Sequence, residues 1–367
     1  MNRQELRREV DGFDPELPLE EGWTPPVSWY TERAFDRLER AAVFRKSWQL
    51  ACRADQVRKP GDYVAGLSFG LSWVVVRGED GVLRALANVC RHKATQVCEG
   101  AGNLPQLTCP YHGWTYRLDG ALKTAPRVAG IRNLSRDEMA LPQFAVQEWG
   151  PYVFFNADPD APDLTASLTE LDDALQSTGW STLRFHARRR YVVESNWKVF
   201  CDNYLDGGYH IAHMHPSLAA QLDLDSYRTE LFDRFSVQTS GGGQGGANRI
   251  GTGALYAWIY PNLMLNRYGP VLDTNYVIPL DEHRCEVFFD FFFDDTVDEA
   301  WIAASLAQSD VTQQEDMWVS AKAQVGMQSG TWPRGRYAPE LEMGIQHFHR
   351  LLSMDLRRAL EGALGRS

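Results

Sequence analysis

Two short segments, Cys90-Arg-His92 and Cys109-Pro-Tyr-His112, constrain this 367-residue chain more than any other feature. Each offers one thiolate and one imidazole, and sixteen residues separate them. Gly113 and an Asp119-Gly120 turn follow the second segment, as a tightly folded ligand loop requires. The six Cys are too few and too scattered for a disulfide framework, so closely spaced Cys and His read first as metal ligands. Cys98 lies between the segments but outside their pattern, and with Cys52, Cys201 and Cys285 it reads as a packed thiol. Zinc is the plainest occupant for two Cys and two His. Zinc fingers, however, usually pair Cys with Cys and His with His. One of each per loop lets two Cys hold one metal atom and two His another, the arrangement of a Rieske [2Fe–2S] centre.

The texture around these loops is β-rich. Runs at 71–77, 82–88 and 152–155 are divided by turns at 78–81 and 119–120, which predicts a small all-β domain over 45–160. Before it, Phe35, Leu38, Ala42, Phe44 and Trp48 recur near helical spacing, predicting a helix over 31–56. The N-terminal segment 1–44 is expected to pack with the catalytic domain. A Pro- and Asp-rich stretch at 158–163 marks a boundary, and 161–367 is the second domain. Helices are expected at 196–213 and 299–327, with strands at 254–265, 271–280 and 284–293. The fold class is therefore α+β: a small all-β domain joined to a domain with an antiparallel sheet flanked by helices.

The second domain carries its own ligand cluster. His210, His213 and His215 crowd the segment between Asn196 and Pro216. Non-haem Fe(II) that handles O2 is held by two His and one carboxylate. His210 and His213 share a helical face, whereas His210 and His215 converge only where the helix ends, which Pro216 favours. Spacing alone leaves His213 and His215 as equal alternatives.

At the run from Asp202 to His210 (Asp-Asn-Tyr-Leu-Asp-Gly-Gly-Tyr-His), the chain resembles the α subunits of Rieske non-haem iron (ring-hydroxylating) oxygenases. The form of the run is similar to their choline monooxygenase branch. The resemblance extends over the cluster loops, the Gln313-Gln-Glu-Asp316 helix, Gly335-Arg-Tyr337 and His347-Phe-His349. It implies a Rieske cluster on Cys90, His92, Cys109 and His112, and a mononuclear Fe(II) on His210, His215 and Asp316. It selects Asp316 over Asp310 and Glu315; without it, Glu315 and Asp316 read as a solvated helix face. It also implies a carboxylate beside the first His that couples it to the cluster of a neighbouring subunit. Asp206 takes that part, four residues before His210 where most relatives have three, with Asp202 as the weaker alternative. A homotrimer follows from the same resemblance.

Neither flavin nor nicotinamide has a credible site. Gly241 to Gly246 contains G-x-G-x-x-G but no recognisable strand–helix context, so it reads as a loop. Electrons must then come from a separate flavin-dependent NAD(P)H reductase, directly or through a ferredoxin. Trp258, Tyr260 and Tyr268 are the candidate aromatic lining for a quaternary ammonium group. Arg188-Arg-Arg190 reads as a solvated basic run, and His347 and His349 as packing or interface residues. A net charge of −11 argues against a phosphate-tracking nucleic-acid binder. The charged N-terminus and the lack of a long apolar run predict a cytoplasmic protein with no membrane span. The expected function is a terminal oxygenase using O2 to hydroxylate or N-demethylate a small choline- or betaine-like substrate. The alternatives are an oxygenase of aromatic or other hydrophobic substrates, a Rieske electron carrier with no second iron, and a zinc-binding interaction protein.

Overall fold

The computed structural model describes residues 1–243 and 249–362. They form two compact units, Phe44–Thr165 and a larger one made of Met1–Val43 with Ala166–Ser367.

The smaller unit is built on an antiparallel seven-stranded sheet. Its order is Gln49–Arg53, Tyr152–Asn156, Gln143–Trp149, Leu83–Ala87, Leu71–Arg77, Asp62–Ser68 and Ala101–Asn103. Strand Leu71–Arg77 shows why it forms. Its side chains alternate between two packed faces. Val74 and Val76 join Leu86, Leu107 and Tyr116 beneath the cluster loops, and Trp73 and Val75 join Val153 and Phe155 on the other side. A continuous apolar run is what a strand covered on both faces needs. The three-stranded sheet Leu107–Thr108, Thr115–Tyr116 and Leu122–Thr124 carries the second ligand loop.

The helix expected at 31–56 is shorter. It spans Arg33–Ala42, and Gln49–Arg53 is a strand paired with Tyr152–Asn156. Leu50 and Cys52 bury their side chains from that strand.

In the larger unit seven antiparallel strands follow the order Arg184–Val193, Arg284–Phe293, Val271–Asp281, Leu263–Tyr268, Gly253–Ile259, Phe235–Gly242 and Leu222–Leu231. The single strand expected at 254–265 is a hairpin that turns at Tyr260-Pro261, where proline cannot donate to the ladder. Strand Phe235–Gly242 leads into the glycine run and pairs with Gly253–Ile259, so a strand does precede the run. Residues 244–248 of that loop lie outside the described residues. Arg188, Arg189 and Arg190 are not simply solvated. They pair with Asp290, Asp310 and Glu286.

Two helices position the chemistry. Glu299–Gln328 starts at Asp298, whose carboxylate accepts from Trp301 N–H at 2.8 Å. Trp197–Tyr204 starts at Asn196, which accepts from Lys198 N–H at 3.0 Å. The helix expected to run to 213 ends at Tyr204, because Gly207 and Gly208 adopt φ of +69° and +82°. A Cβ at Gly207 would overlap the Leu341 carbonyl. One further turn, Ile211–Met214, follows the break. No helix among the described residues is long and apolar enough to cross a membrane.

The helix Arg33–Ala42 is tied to Trp197–Tyr204 by a buried ion pair. Glu39 Oε1 accepts from Lys198 Nζ at 2.6 Å, and Glu39 Oε2 accepts from Trp197 Nε1 at 2.8 Å. Both charges are sealed from water. Removing one partner would strand the other, at a cost of about 3–5 kcal/mol. Glu39→Ala is therefore expected to lower the stability of the larger unit by about that amount in urea unfolding. A loss under about 1 kcal/mol would mean that Lys198 finds another partner or water.

Candidate metal centres and substrate cavity

The two cluster loops fold alike. Cys90 N–H donates to the Thr95 carbonyl at 2.8 Å, and Ala94 N–H to the Cys90 carbonyl at 3.0 Å. In the second loop Cys109 N–H donates to the Trp114 carbonyl at 2.8 Å, and Gly113 N–H to the Cys109 carbonyl at 3.1 Å. Ala94 and Gly113, each four residues after its Cys, are both left-handed, with φ of +57° and +71°. The loops bury Cys90 and Cys109 and leave His92 and His112 exposed. The two imidazoles lie 4.6 Å apart, and His92 stacks on Trp114 at 5.0 Å. Behind them, buried Asn88 accepts from Val97 and Cys98 N–H at 3.0 Å and donates to the Cys98 carbonyl at 2.8 Å. Burial pushes the Cys98 thiol up to about 12, which leaves it un-ionised and inert.

Donor spacing bears on the identity of the metal. One zinc ion with bonds of about 2.0–2.3 Å would draw its donors within roughly 4 Å of each other. Among the described residues, His210, His215 and Asp316 are the one group of three or more His, Cys, Asp or Glu with donor atoms within 4.8 Å. Two buried thiols and two surface imidazoles spread more widely than this fit a pair of metal atoms better than one. Their chemistry suits a mixed-ligand [2Fe–2S] cluster.

The larger unit gathers its own donors. Asp316 Oδ1 lies 3.0 Å from His215 Nε2 and 3.7 Å from His210 Nε2. Each imidazole is held from behind by a second carboxylate. His210 Nδ1 meets Asp206 Oδ2 at 2.5 Å, and His215 Nδ1 meets Glu315 Oε2 at 2.6 Å. An acid on Nδ1 fixes the ring and leaves Nε2 free for a metal. Asp206 is itself fixed, accepting from Gly208, Tyr209 and His210 N–H at 2.9–3.2 Å. The glycine break therefore does the work that regular helical spacing was expected to do. Burial works against a proton on His215, but the bonds to Asp316 and Glu315 outweigh it and raise its pKa. The trio favours a cation at its centre, and its donor set suits Fe(II).

The alternatives fall elsewhere. His213 is exposed, while His215 is 2% exposed. Asp202 turns to Tyr30 Oη at 2.8 Å and to His349 Nε2 at 3.0 Å. Asp310 accepts from Tyr191 Oη. Glu315 was expected only as solvated helix surface; its contact with His215 is a site role that spacing could not show. Asn203, also unforeseen, donates to Asp316 Oδ1 at 2.7 Å.

A cavity of about 120 Å³ opens onto the trio. Its floor is a cross-strand row, Gln238–Tyr256–Asn266–Asp273, set by the register of four adjacent strands. Tyr204, Tyr227 and Tyr268 add phenol rings to the wall. Of the three aromatics expected there, only Tyr268 lines it. Trp258 is 0% exposed and packs 5.3 Å from Phe348 under the C-terminal helix Met343–Gly362, while Tyr260 lies under the Arg234 guanidinium at 4.4 Å. Strand alternation from Trp258 pointed to Tyr256 on the same face, and that signal was available in the sequence.

Comparison with known proteins agrees with both halves. Residues 47–142 match the Rieske [2Fe-2S] domain model, and residues 180–354 match the catalytic domain of the ring hydroxylating alpha subunit. The chain is 41% identical over 370 residues to the chloroplastic choline monooxygenase of Arabidopsis thaliana, covering 96% of this chain and 87% of that protein. The chain belongs to the Rieske non-haem iron oxygenases. This Rieske oxygenase is also 31% identical to the carnitine monooxygenase oxygenase subunit of Escherichia coli K12, over 91% of this chain and 94% of that one. It superimposes on the crystal structure of the quaternary ammonium Rieske monooxygenase CntA bound to L-carnitine with a TM-score of 0.81, at 27% identity, covering 92% and 96% of the two chains. Members of the family carry one Rieske cluster and one mononuclear iron.

Glu315 gives the oxygenase a testable feature. Glu315→Gln is expected to weaken iron retention by about 10- to 100-fold, with the visible spectrum of the cluster intact. Iron analysis after mild chelation measures it. Retention equal to wild type would show that Glu315 does not position His215.

Proposed function

We propose that this oxygenase takes O2 and electrons from a separate reductase and oxidises a small quaternary ammonium compound beside its nitrogen. The observation that carries the substrate is the cavity itself, where Tyr204, Tyr227, Tyr256 and Tyr268 surround the space next to the His210–His215–Asp316 trio. Aromatic faces attract a quaternary ammonium, which has no proton to donate and so cannot be held by hydrogen bonds. The buried polar row along the floor suits a small charged guest better than a fused hydrocarbon. The relatives named for choline and carnitine support the same class.

In this reading His210, His215 and Asp316 hold the iron, and Cys90, His92, Cys109 and His112 hold the cluster. Once bound, the iron supplies O2 activation and the cluster supplies electrons. Asp206 holds His210 by Nδ1, which fixes the ring and leaves Nε2 free to face the metal. One oxygen atom enters a C–H bond beside nitrogen; the other, with two electrons and two protons, leaves as water. The carbinol then loses its C–N bond and a proton, giving formaldehyde and the demethylated amine when a methyl is hydroxylated, or an aldehyde and the intact trialkylamine when the chain carbon is. The homotrimer, in which electrons pass from His112 of one copy to Asp206 of the next, belongs to this proposal. So do a flavin-dependent NAD(P)H reductase and a cytoplasmic setting, although the plant relatives are named as chloroplastic.

Oxygen uptake with a surrogate reductase, run against choline, betaines, carnitine and aromatic acids, tests the proposal. Uptake coupled to product is expected with a quaternary ammonium compound and about three irons per chain. Product from aromatic acids alone would overturn the substrate class. Two irons per chain and no product would favour a bare electron carrier.

A further inference from the structure

One cation in the cavity has no part in the chemistry described so far. Arg249 lines the wall that also carries Tyr268 and Asp273. Its backbone is fixed, since its N–H donates to Gln221 Oε1 at 3.2 Å and its carbonyl fits against Gly269, where a Cβ would overlap it. Its guanidinium lies over the Tyr268 ring at 4.9 Å and donates from Nη1 to the Ser305 carbonyl at 2.7 Å. The head group is thus aimed and held, yet among the described residues no carboxylate oxygen lies within 4.0 Å of it. Arg188 and Arg234, in the same unit, each sit within 2.8 Å of an Asp oxygen.

Asp273 does not fill the gap. Its Oδ1 accepts from Asn266 Nδ2 at 2.6 Å, and its Oδ2 from Tyr268 Oη at 2.5 Å. Burial raises its pKa, against the pull of those two bonds and of Arg249 nearby. Both carboxylate oxygens are committed, and the charge they carry is disfavoured. A guanidinium offers five N–H donors in a planar fork that matches a carboxylate. Here one donor is spent on Ser305.

We infer that Arg249 binds a carboxylate on the substrate, so the cavity prefers a carboxylated quaternary ammonium compound, a betaine in the broad sense, over choline. The inference rests on the quaternary ammonium reading and narrows it. In this reading the phenol rings of Tyr204 and Tyr227 and the His210–His215–Asp316 trio take the methylated cation, and Arg249, lying over Tyr268, takes the anion. A hydroxyl in place of the carboxylate leaves a half-buried guanidinium without its counter-charge. Sites built around a polar partner discriminate strongly against a substrate that lacks it.

The test compares kcat/KM for glycine betaine, L-carnitine and choline in the wild type, Arg249→Gln and Arg249→Lys. The wild type is expected to favour a carboxylated substrate. Arg249→Gln should cut the betaine-to-choline selectivity ratio by about 10- to 100-fold, mainly through KM, with Arg249→Lys between the two. The cluster spectrum and iron content report whether each variant has folded. The wild type alone supplies a second readout. Glycine betaine methyl ester, which keeps the cation and masks the anion, should bind at least about tenfold more weakly than glycine betaine. Choline preferred by the wild type, or a ratio unmoved by Arg249→Gln, overturns this inference and leaves the quaternary ammonium reading standing. Turnover of aromatic acids alone overturns both.

Discussion

The larger unit is arranged around one carboxylate. Asp316 Oδ1 faces two imidazole Nε2 atoms, at 3.0 Å from His215 and 3.7 Å from His210, and neither imidazole is free to turn away. Asp206 holds one ring by Nδ1 and Glu315 holds the other. Three acids around two bases form a locally anionic pocket that repels itself unless a cation sits inside. The rest of the unit serves this convergence. The glycine break after Tyr204 brings Asp206 back onto His210, and the thirty-residue helix Glu299–Gln328 delivers Glu315 and Asp316 together. The sheet supplies the floor beneath them.

The smaller unit solves a different problem with the same economy of parts. Twin turns after Cys90 and Cys109 present one buried thiol and one exposed imidazole each. Thiols at depth and imidazoles at the surface place the neutral ligands where an electron can enter or leave. Neutral imidazoles in place of two thiolates also raise a cluster's potential. Asn88, bonded to the backbone of Val97 and Cys98, ties down the segment between the loops without a metal.

Much of this was legible in the sequence, for identifiable reasons. Strand Leu71–Arg77 was readable because an apolar run between turn residues has few other uses, and Arg284–Phe293 because aromatic residues fill it. The helix at 31–56 was overextended because Phe44 and Trp48 continue a helical spacing past Ala42, where the helix ends and a short turn leads into the strand Gln49–Arg53. Strands Arg184–Val193 and Leu222–Leu231, rich in charged residues, escaped notice because their charges pair across the sheet or face solvent. At the metal centre, residue types gave the chemistry, but direction did not follow from spacing. Whether His213 or His215 turns inward depends on the helix break at Gly207 and Gly208 and on what Glu315 can reach. Consecutive residues on a helix point about 100° apart. The longer Glu315 arm therefore meets His215 at Nδ1 while the shorter Asp316 meets Nε2. The substrate wall was the least legible part, since Trp258 and Tyr256 share a strand face and only the C-terminal helix decides which one is covered.

Anomalous scattering from crystals of the iron-loaded protein, collected at the iron edge, tests the two-centre account most directly. The expected map has one isolated peak bonded to Nε2 of His210, Nε2 of His215 and the Asp316 carboxylate. It also has a close pair of peaks, one held by Cys90 and Cys109 and the other by His92 and His112. A single peak at the Cys and His loops, or an isolated peak held by His213 or Glu315 in place of the named ligands, would contradict it.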